Sequence, residues 1–265
     1  MILAATPWWI WVPALGAALG YVLLAGLSAR LPRPRIVALM AAVWLLHGWA
    51  LVSTLGVEPI RFGFATILSV TAWLVFTVYA IETRLYPQLG TRWTLAGFGA
   101  PAVLLALVFP GSEHAQLLSN WLPLHWALGI ASYGLLGVAV AHAWMMQRAE
   151  NLMRSGSQMG QPMLPLLSLE RLTFRFVGAA FVLLTLTLLV GLYFTQLLGL
   201  YGWAWSHKTI FTVLSWAVLG VLLAGRQLRG WRGRLAVRML YVAAGLLLMG
   251  YVGSRFVLEV ILQRP

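Results

Sequence analysis

Eight nearly uninterrupted apolar runs constrain this chain more than any other feature of its sequence. They lie at residues 9–29, 36–56, 63–83, 93–110, 122–147, 174–199, 207–226 and 234–262. A helix that crosses the hydrocarbon core of a bilayer needs about 20 mostly apolar residues, and each run comes close to that length. The predicted fold is an all-α membrane protein of eight transmembrane helices, a single polytopic domain over residues 1–265. Hydrophobic residues make up 61% of the chain and charged residues 9%, with a mean hydropathy of +0.87. A water-soluble domain of this length has no use for so much apolar surface. The opening MILAATPWWIWVP carries no basic residue ahead of its apolar run, so it reads as a retained membrane helix and not as a cleaved signal peptide.

The charged residues speak to topology. Seventeen arginines and one lysine face six glutamates and no aspartate, for a net charge of +12. They fall in short loops between apolar runs, a membrane pattern and not a phosphate-reading surface, so nucleic acid is not an expected partner. The loops after the first, third, fifth and seventh runs hold Arg30, Arg33, Arg35, Arg84, Arg92, Arg148, Arg154, Arg171, Arg175, Arg226, Arg229, Arg232, Arg234 and Arg238. The opposite side holds Arg61, Lys208, Arg255 and Arg264. By the positive-inside rule both termini lie on the periplasmic, external side of a bacterial inner membrane. The long basic loop contains SGSQMGQPMLPLL, too rich in breakers for one helix. Its end, Ser168 to Arg175, reads as an amphipathic lead-in lying among headgroups, with its arginines toward lipid phosphates. Membrane lipid is therefore an expected partner. The absence of cysteine excludes disulfides and thiolate metal sites within the chain.

The stretch GWAWSHKTIFTVLSW, residues 202–216, draws attention because a serine, a histidine and the one lysine sit at the mouth of an apolar helix. Polar groups there need a partner or water. In the predicted topology His207 and His125, in SNWLPLHWALGIASYG, both stand near the outer start of a helix. Imidazoles from separate helices are the usual protein ligands of haem iron and also suit zinc. The plainer alternative places each among headgroups beside the belt tryptophans Trp121, Trp126, Trp203 and Trp205. His47, about 11 residues into the second helix, falls near the bilayer centre. It reads as an internal haem ligand, a proton-handling group or a hydrogen bond to another helix. His142 is about 25 Å along the helix from His125 and cannot share its metal. His114 lies beside Glu113 in an outer loop with no further ligand nearby. Gly16 and Gly20 give the first helix a small-residue face. Arg255 and Glu259, at i and i+4, are placed to neutralise each other, with Arg255 also able to hold an anionic group such as a haem propionate. Nothing in the sequence has the pattern of a nucleophile with its base, a phosphate loop or a carboxylate dyad, and the chain is not expected to be an enzyme.

At SNWLPLHWALGIASYGLLGVAVA the sequence resembles the helix of CcsA-like cytochrome c assembly proteins that carries an outward-facing histidine, typically SNWLLMHVSMMMLSYAALL. GWAWSHKTIFTVLSW is similar to the tryptophan-rich haem-handling segment of that family, typically SYWSWDPKETWAFITW, with Trp203, Trp205, Lys208 and Trp216 on family positions. The ending GSRFVLEVIL and the short length resemble the compact YpjD/HemX-type branch. By this resemblance His125 takes the place of the first external haem-ligating histidine. Ser206 and His207 replace the Asp-Pro pair, Ala224 stands where longer members have a membrane histidine, and no histidine occurs near the C-terminus. The resemblance implies an inner-membrane protein that binds or handles haem near the external face. His125 and His207 would be metal ligands, and the nearby tryptophans would pack on the porphyrin. The alternative is a haem-free accessory or regulatory subunit of another membrane protein.

Overall fold

The computed structural model describes residues 8–56, 60–85, 93–114, 121–155, 166–197 and 206–262. Among them seven helices are long and apolar enough to cross a membrane, and the described residues form an all-α membrane protein apart from one small pair of strands. These are α1 (Trp8–Leu27), α2 (Arg33–Leu55), α3 (Phe64–Leu85), α5 (Trp121–Arg154), α6 (Leu166–Leu197), α7 (His207–Arg229) and α8 (Gly233–Leu248). The last continues through two π-helical turns, Met249–Gly253 and Val257–Ile261. The fourth apolar run behaves differently: a 3-10 segment, Trp93–Phe98, leads into α4, Gly99–Val108, which is shorter than the other seven. Two three-residue strands, β1 (Ile60–Phe62) and β2 (Ser112–His114), were not expected; they pair antiparallel with Ile60 opposite His114 and Phe62 opposite Ser112.

Two compact units divide the chain, the first built from α1 to α4 with residues 258–262, the second from α5 to α8 up to Val257. In the first unit Tyr21, Leu24, Val43, Phe76 and Val103 form the centre of the core. The glycine face of α1 is used here. A Cβ on Gly20 would lie 2.3 Å from Val43 Cγ2, and one on Gly16 3.2 Å from Leu46 Cδ1, so this face is closed against α2 and offers no docking surface for a partner. Pro13 has no N–H for the carbonyl of Trp9 one turn earlier. Ser53 Oγ of α2 lies 3.4 Å from that oxygen and 2.6 Å from the carbonyl of Trp49, sharing one proton between them.

Polar bonds join the helices of this unit. His47 is completely buried, with Nδ1 2.8 Å from Tyr21 Oη of α1 and Nε2 2.9 Å from Ser69 Oγ of α3. Trp73 Nε1 donates to the Trp44 carbonyl at 3.0 Å, Trp44 Nε1 donates to Thr77 Oγ1 at 2.9 Å, and the two indoles stack with centroids 5.1 Å apart. The β1–β2 pair and a Phe64–Phe109 ring contact at 5.5 Å bring the start of α3 to the end of α4.

In the second unit α5 and α6 outrun their apolar segments, reaching Arg154 and starting at Leu166 instead of ending at 147 and starting at 174. Ala149 and Leu169, both outside the expected spans, are buried. Packing of one helix on the other therefore carries both beyond the length that hydropathy alone defines. The amphipathic lead-in is thus the first turns of α6. Glu170 there accepts from Arg226 Nη1 of α7 at 2.6 Å, and the Arg226 guanidinium lies 3.7 Å from the centroid of Phe174. Ser215 Oγ donates to the Ala243 carbonyl at 2.8 Å, Trp216 Nε1 to Thr185 Oγ1 at 2.9 Å, and Tyr133 Oη to the Leu247 carbonyl. Helices in lipid lack a hydrophobic drive toward one another, so such bonds and close packing hold them together.

Two outcomes follow for stability in detergent. Tyr21→Phe and Ser69→Ala each leave one nitrogen of His47 without its hydroxyl and should cost about 1 kcal/mol, read as a lower thermal unfolding midpoint; unchanged midpoints in both would remove the anchoring role of His47. Glu170→Gln strips the partly buried Arg226 of its carboxylate and should cost about 2 kcal/mol. Replacing Glu170 and Arg226 together by methionine should recover most of that loss.

Candidate functional site

The interhelical bonds of the second unit fix which ends lie together. Tyr133 of α5 meets Leu247 of α8, Glu170 at the start of α6 meets Arg226 at the end of α7, and Lys208 at the start of α7 meets Tyr251 in the first π turn of α8. The starts of α5 and α7 and the ends of α6 and α8 therefore occupy one end of the unit. His125, His207, Lys208 and Arg255 all stand at that end, and the arginine-rich segments stand at the other.

His125 sits on the second turn of α5 and is partly buried. Its Nδ1 is 3.0 Å from the carbonyl of Thr187 on α6. A carbonyl oxygen can only accept, so Nδ1 carries the proton and the neutral ring keeps its lone pair on Nε2. The imidazole reaches this position because Gly191, one turn further along α6, has no side chain; a Cβ there would lie 3.0 Å from His125 Cε1. Among the described residues Nε2 has no hydrogen-bond partner, and a histidine held through Nδ1 in this way has the arrangement that metal-ligating histidines use, the backbone bond setting both tautomer and ring direction. This donor fits haem iron.

His207 is the first residue of α7 and is exposed. Ser206 caps the helix, its Oγ accepting from Thr209 N at 3.4 Å, which gives the serine in the tryptophan-rich stretch a structural function. Among the described residues no hydrogen bond or ring contact joins His125 to His207. Beside His207 two cations gather at one ring: Lys208 Nζ lies 5.2 Å and Arg255 Cζ 6.0 Å from the centroid of Tyr251. Arg255 and the tyrosine belong to the π-interrupted part of α8, a backbone irregularity common at functional sites. Tyr251, Thr187 and Gly191 carry no mark in the sequence that sets them apart from packing residues. Trp126 is partly buried on α5. The side chain of Trp121 and the whole of Trp203 and Trp205 lie outside the described residues, as do the side chains of Glu113 and His114.

His47 belongs to the first unit, and both its ring nitrogens are engaged. That geometry is an internal polar anchor between three helices. His142, buried on α5, packs against the ring of Phe176 with centroids 5.5 Å apart. Among the described residues no three histidine, cysteine, aspartate or glutamate side chains gather to hold a metal ion. A groove of about 1080 Å³ in the first unit is lined by Trp9, Trp44, Trp49, Val52, Val70 and Trp73 among others, and among the described residues its walls carry no titratable group. Trp49 and Val52 are exposed on it, as side chains facing lipid would be.

Comparison with known proteins places these features. Residues 34–262 match a family model described as Cytochrome C assembly protein. The inner membrane protein YpjD of Escherichia coli (strain K12) is 33% identical over 138 residues, 52% of this chain and 52% of YpjD, so the chain spans about half the length of this curated relative. The cytochrome c biogenesis protein CcsA of Gloeothece citriformis is 26% identical over 254 residues, 75% of this chain and 74% of that protein. CcsA of Microcystis aeruginosa is 26% identical over 252 residues, with the same coverage. No solved structure matches. The family match runs from the start of α2 to the end of α8, and the chain belongs to the cytochrome c assembly protein family.

Proposed function

We propose that this is a non-catalytic protein of a bacterial inner membrane that binds or handles haem near the external face. The observation that carries the reading is the hydrogen bond from His125 Nδ1 to the Thr187 carbonyl, which leaves Nε2 as an oriented, basic donor. His125 would hold the iron, with His207 as the second ligand. Arg255 would supply a positive charge for a propionate, and Trp126 would pack on the apolar macrocycle, with Trp121, Trp203 and Trp205 as the further candidates from the sequence. Haem held there would supply a redox-active iron; the chain's own residues bind it, orient it and set the basicity of its ligand. The names of the family and of its cyanobacterial relatives, cytochrome c assembly and biogenesis, support haem as the ligand.

The same reading counts eight membrane helices with both termini external. Its support is the β1–β2 pair: the loop before α3 pairs with the loop after α4, so the two loops share one face and α3 and α4 go across and return. The unequal distribution of arginine then puts that face outside.

A second reading, a haem-free accessory subunit of another membrane protein, draws on the exposure of His207 and its lack of contact with His125 among the described residues. Absorption spectra separate the two. Protein expressed with ample haem should show a Soret band that His125→Ala largely removes. Gly191→Ala, which brings a methyl to 3.0 Å from the His125 ring, should weaken haem affinity about tenfold. A colourless wild-type protein that co-purifies with a stoichiometric membrane partner would decide for the accessory subunit.

The topology has its own check, helped by a sequence without cysteine. Cysteines introduced at Arg61 and Ser112 should both react with an impermeant maleimide from outside the cell, and one at Arg154 only after permeabilisation. Labelling of Arg61 and Ser112 variants from opposite sides would dismiss α4 as a crossing helix.

A further inference from the structure

We propose that the arginine-rich end of the second unit is a binding surface for anionic phospholipid, built to take the lipid phosphate between helices α6 and α8. Three observations converge on it. Arg171 and Arg175 on α6, and Arg234 and Arg238 on α8, are all exposed and stand four residues apart on their helices. Side chains at that spacing are neighbours, and like charges there repel. Two such pairs, with exposed Arg229 and Arg232 beside the α7–α8 turn, make a strained array that an anion relieves.

Two carboxylates stand among these helix ends. Glu150 on α5 lies four residues before Arg154 of the same helix, and Glu170 is already engaged by Arg226 Nη1 at 2.6 Å, with Arg232 Nε at 3.8 Å. That bond draws the start of α6 to the end of α7, and the short turn Gly230–Arg232 draws α8 to the same place. The clamp therefore gathers the arginines and uses up their acidic neighbour in the same contact.

The occupant is identified by what lies between the charges. Leu167, Leu228 and Leu235 are exposed next to these arginines, Leu228 to 84%. Cations alternating with bare leucines, on helices that continue into membrane-spanning segments, match a molecule with a phosphate at one end and acyl chains at the other. An acidic protein or a nucleic acid would meet the charges and leave the leucines in water. A juxtamembrane basic cluster attracts anionic lipid with each arginine contributing. The surface stands apart from the haem reading, since no residue is shared between them.

The test uses the full-length protein in neutral detergent, titrated with phosphatidylglycerol, cardiolipin, phosphatidylcholine or inorganic phosphate, with thermal unfolding and native mass spectrometry as readouts. The anionic lipids should raise the unfolding midpoint saturably and remain bound in the gas phase. In the variant Arg171→Gln/Arg175→Gln/Arg234→Gln/Arg238→Gln the apparent affinity should fall roughly tenfold or more. Its midpoint without lipid should be no lower than the wild type's, because the repulsion is gone. The pair Arg234→Gln/Arg238→Gln should show an intermediate loss and serves if the fourfold variant does not fold. An equal rise with phosphatidylcholine, an equal rise with inorganic phosphate, or full retention of anionic lipid by the variants would each overturn the proposal.

Discussion

A polar group carried into hydrocarbon must find its partner inside the protein, and the architecture of both units depends on that requirement. Without water to satisfy them, hydroxyls, indoles and imidazoles become the connectors between helices. Tyr21, His47 and Ser69 link three helices through one ring; Trp73 reaches the backbone of α2; Ser215 and Tyr133 reach the backbone of α8. Small-residue contact adds close approach, as where Gly20 admits Val43. Leucines and valines fill the remaining space, but they are equally at home in lipid and do not by themselves specify which helices meet.

The same requirement separates the histidines by role. His47 has both nitrogens bonded within its unit, so its ring is a fixed part of the frame. Among the described residues His125 has one nitrogen bonded, to a main-chain oxygen. The other nitrogen is the feature on which the proposed ligation rests. The Ser206 cap and the pair of cations about Tyr251 shape the neighbouring helix end without closing it. Chemistry and architecture here differ by one hydrogen bond per ring.

Much of this was legible in the sequence, because hydropathy in a membrane protein is nearly a map of its helices. Seven of the eight apolar runs became helices of spanning length, and the histidine at 125 stood out in a stretch resembling the family helix. What the sequence hid depends on contacts made at a distance. The extra turns of α5 and α6 rest on packing between Ala149, Leu169 and their neighbours, which no local pattern records. The partner of His125 is a carbonyl, and every residue has one, so Thr187 could not be picked out. The two strands are three residues each and are held by register instead of by β-forming composition. The amphipathic character of Ser168–Arg175 was visible in its charges, but the Glu170–Arg226 bond was not, because its two partners stand 56 residues apart.

The short α4 has a consequence for the membrane itself. Its apolar helical stretch, Ala96–Val108, rises only about 20 Å at 1.5 Å per residue, against a hydrocarbon thickness of about 30 Å. Ala100, Ala102 and Val103 are buried on it while Phe98, Leu104 and Val108 are exposed, so one face packs on protein and the other is open. If it crosses, as in the proposed topology, it would create a mismatch that nearby lipid accommodates by drawing the two leaflets together. Around the first unit the bilayer would then be locally pinched, a soft spot where water and headgroups penetrate deeper than they do elsewhere along the protein.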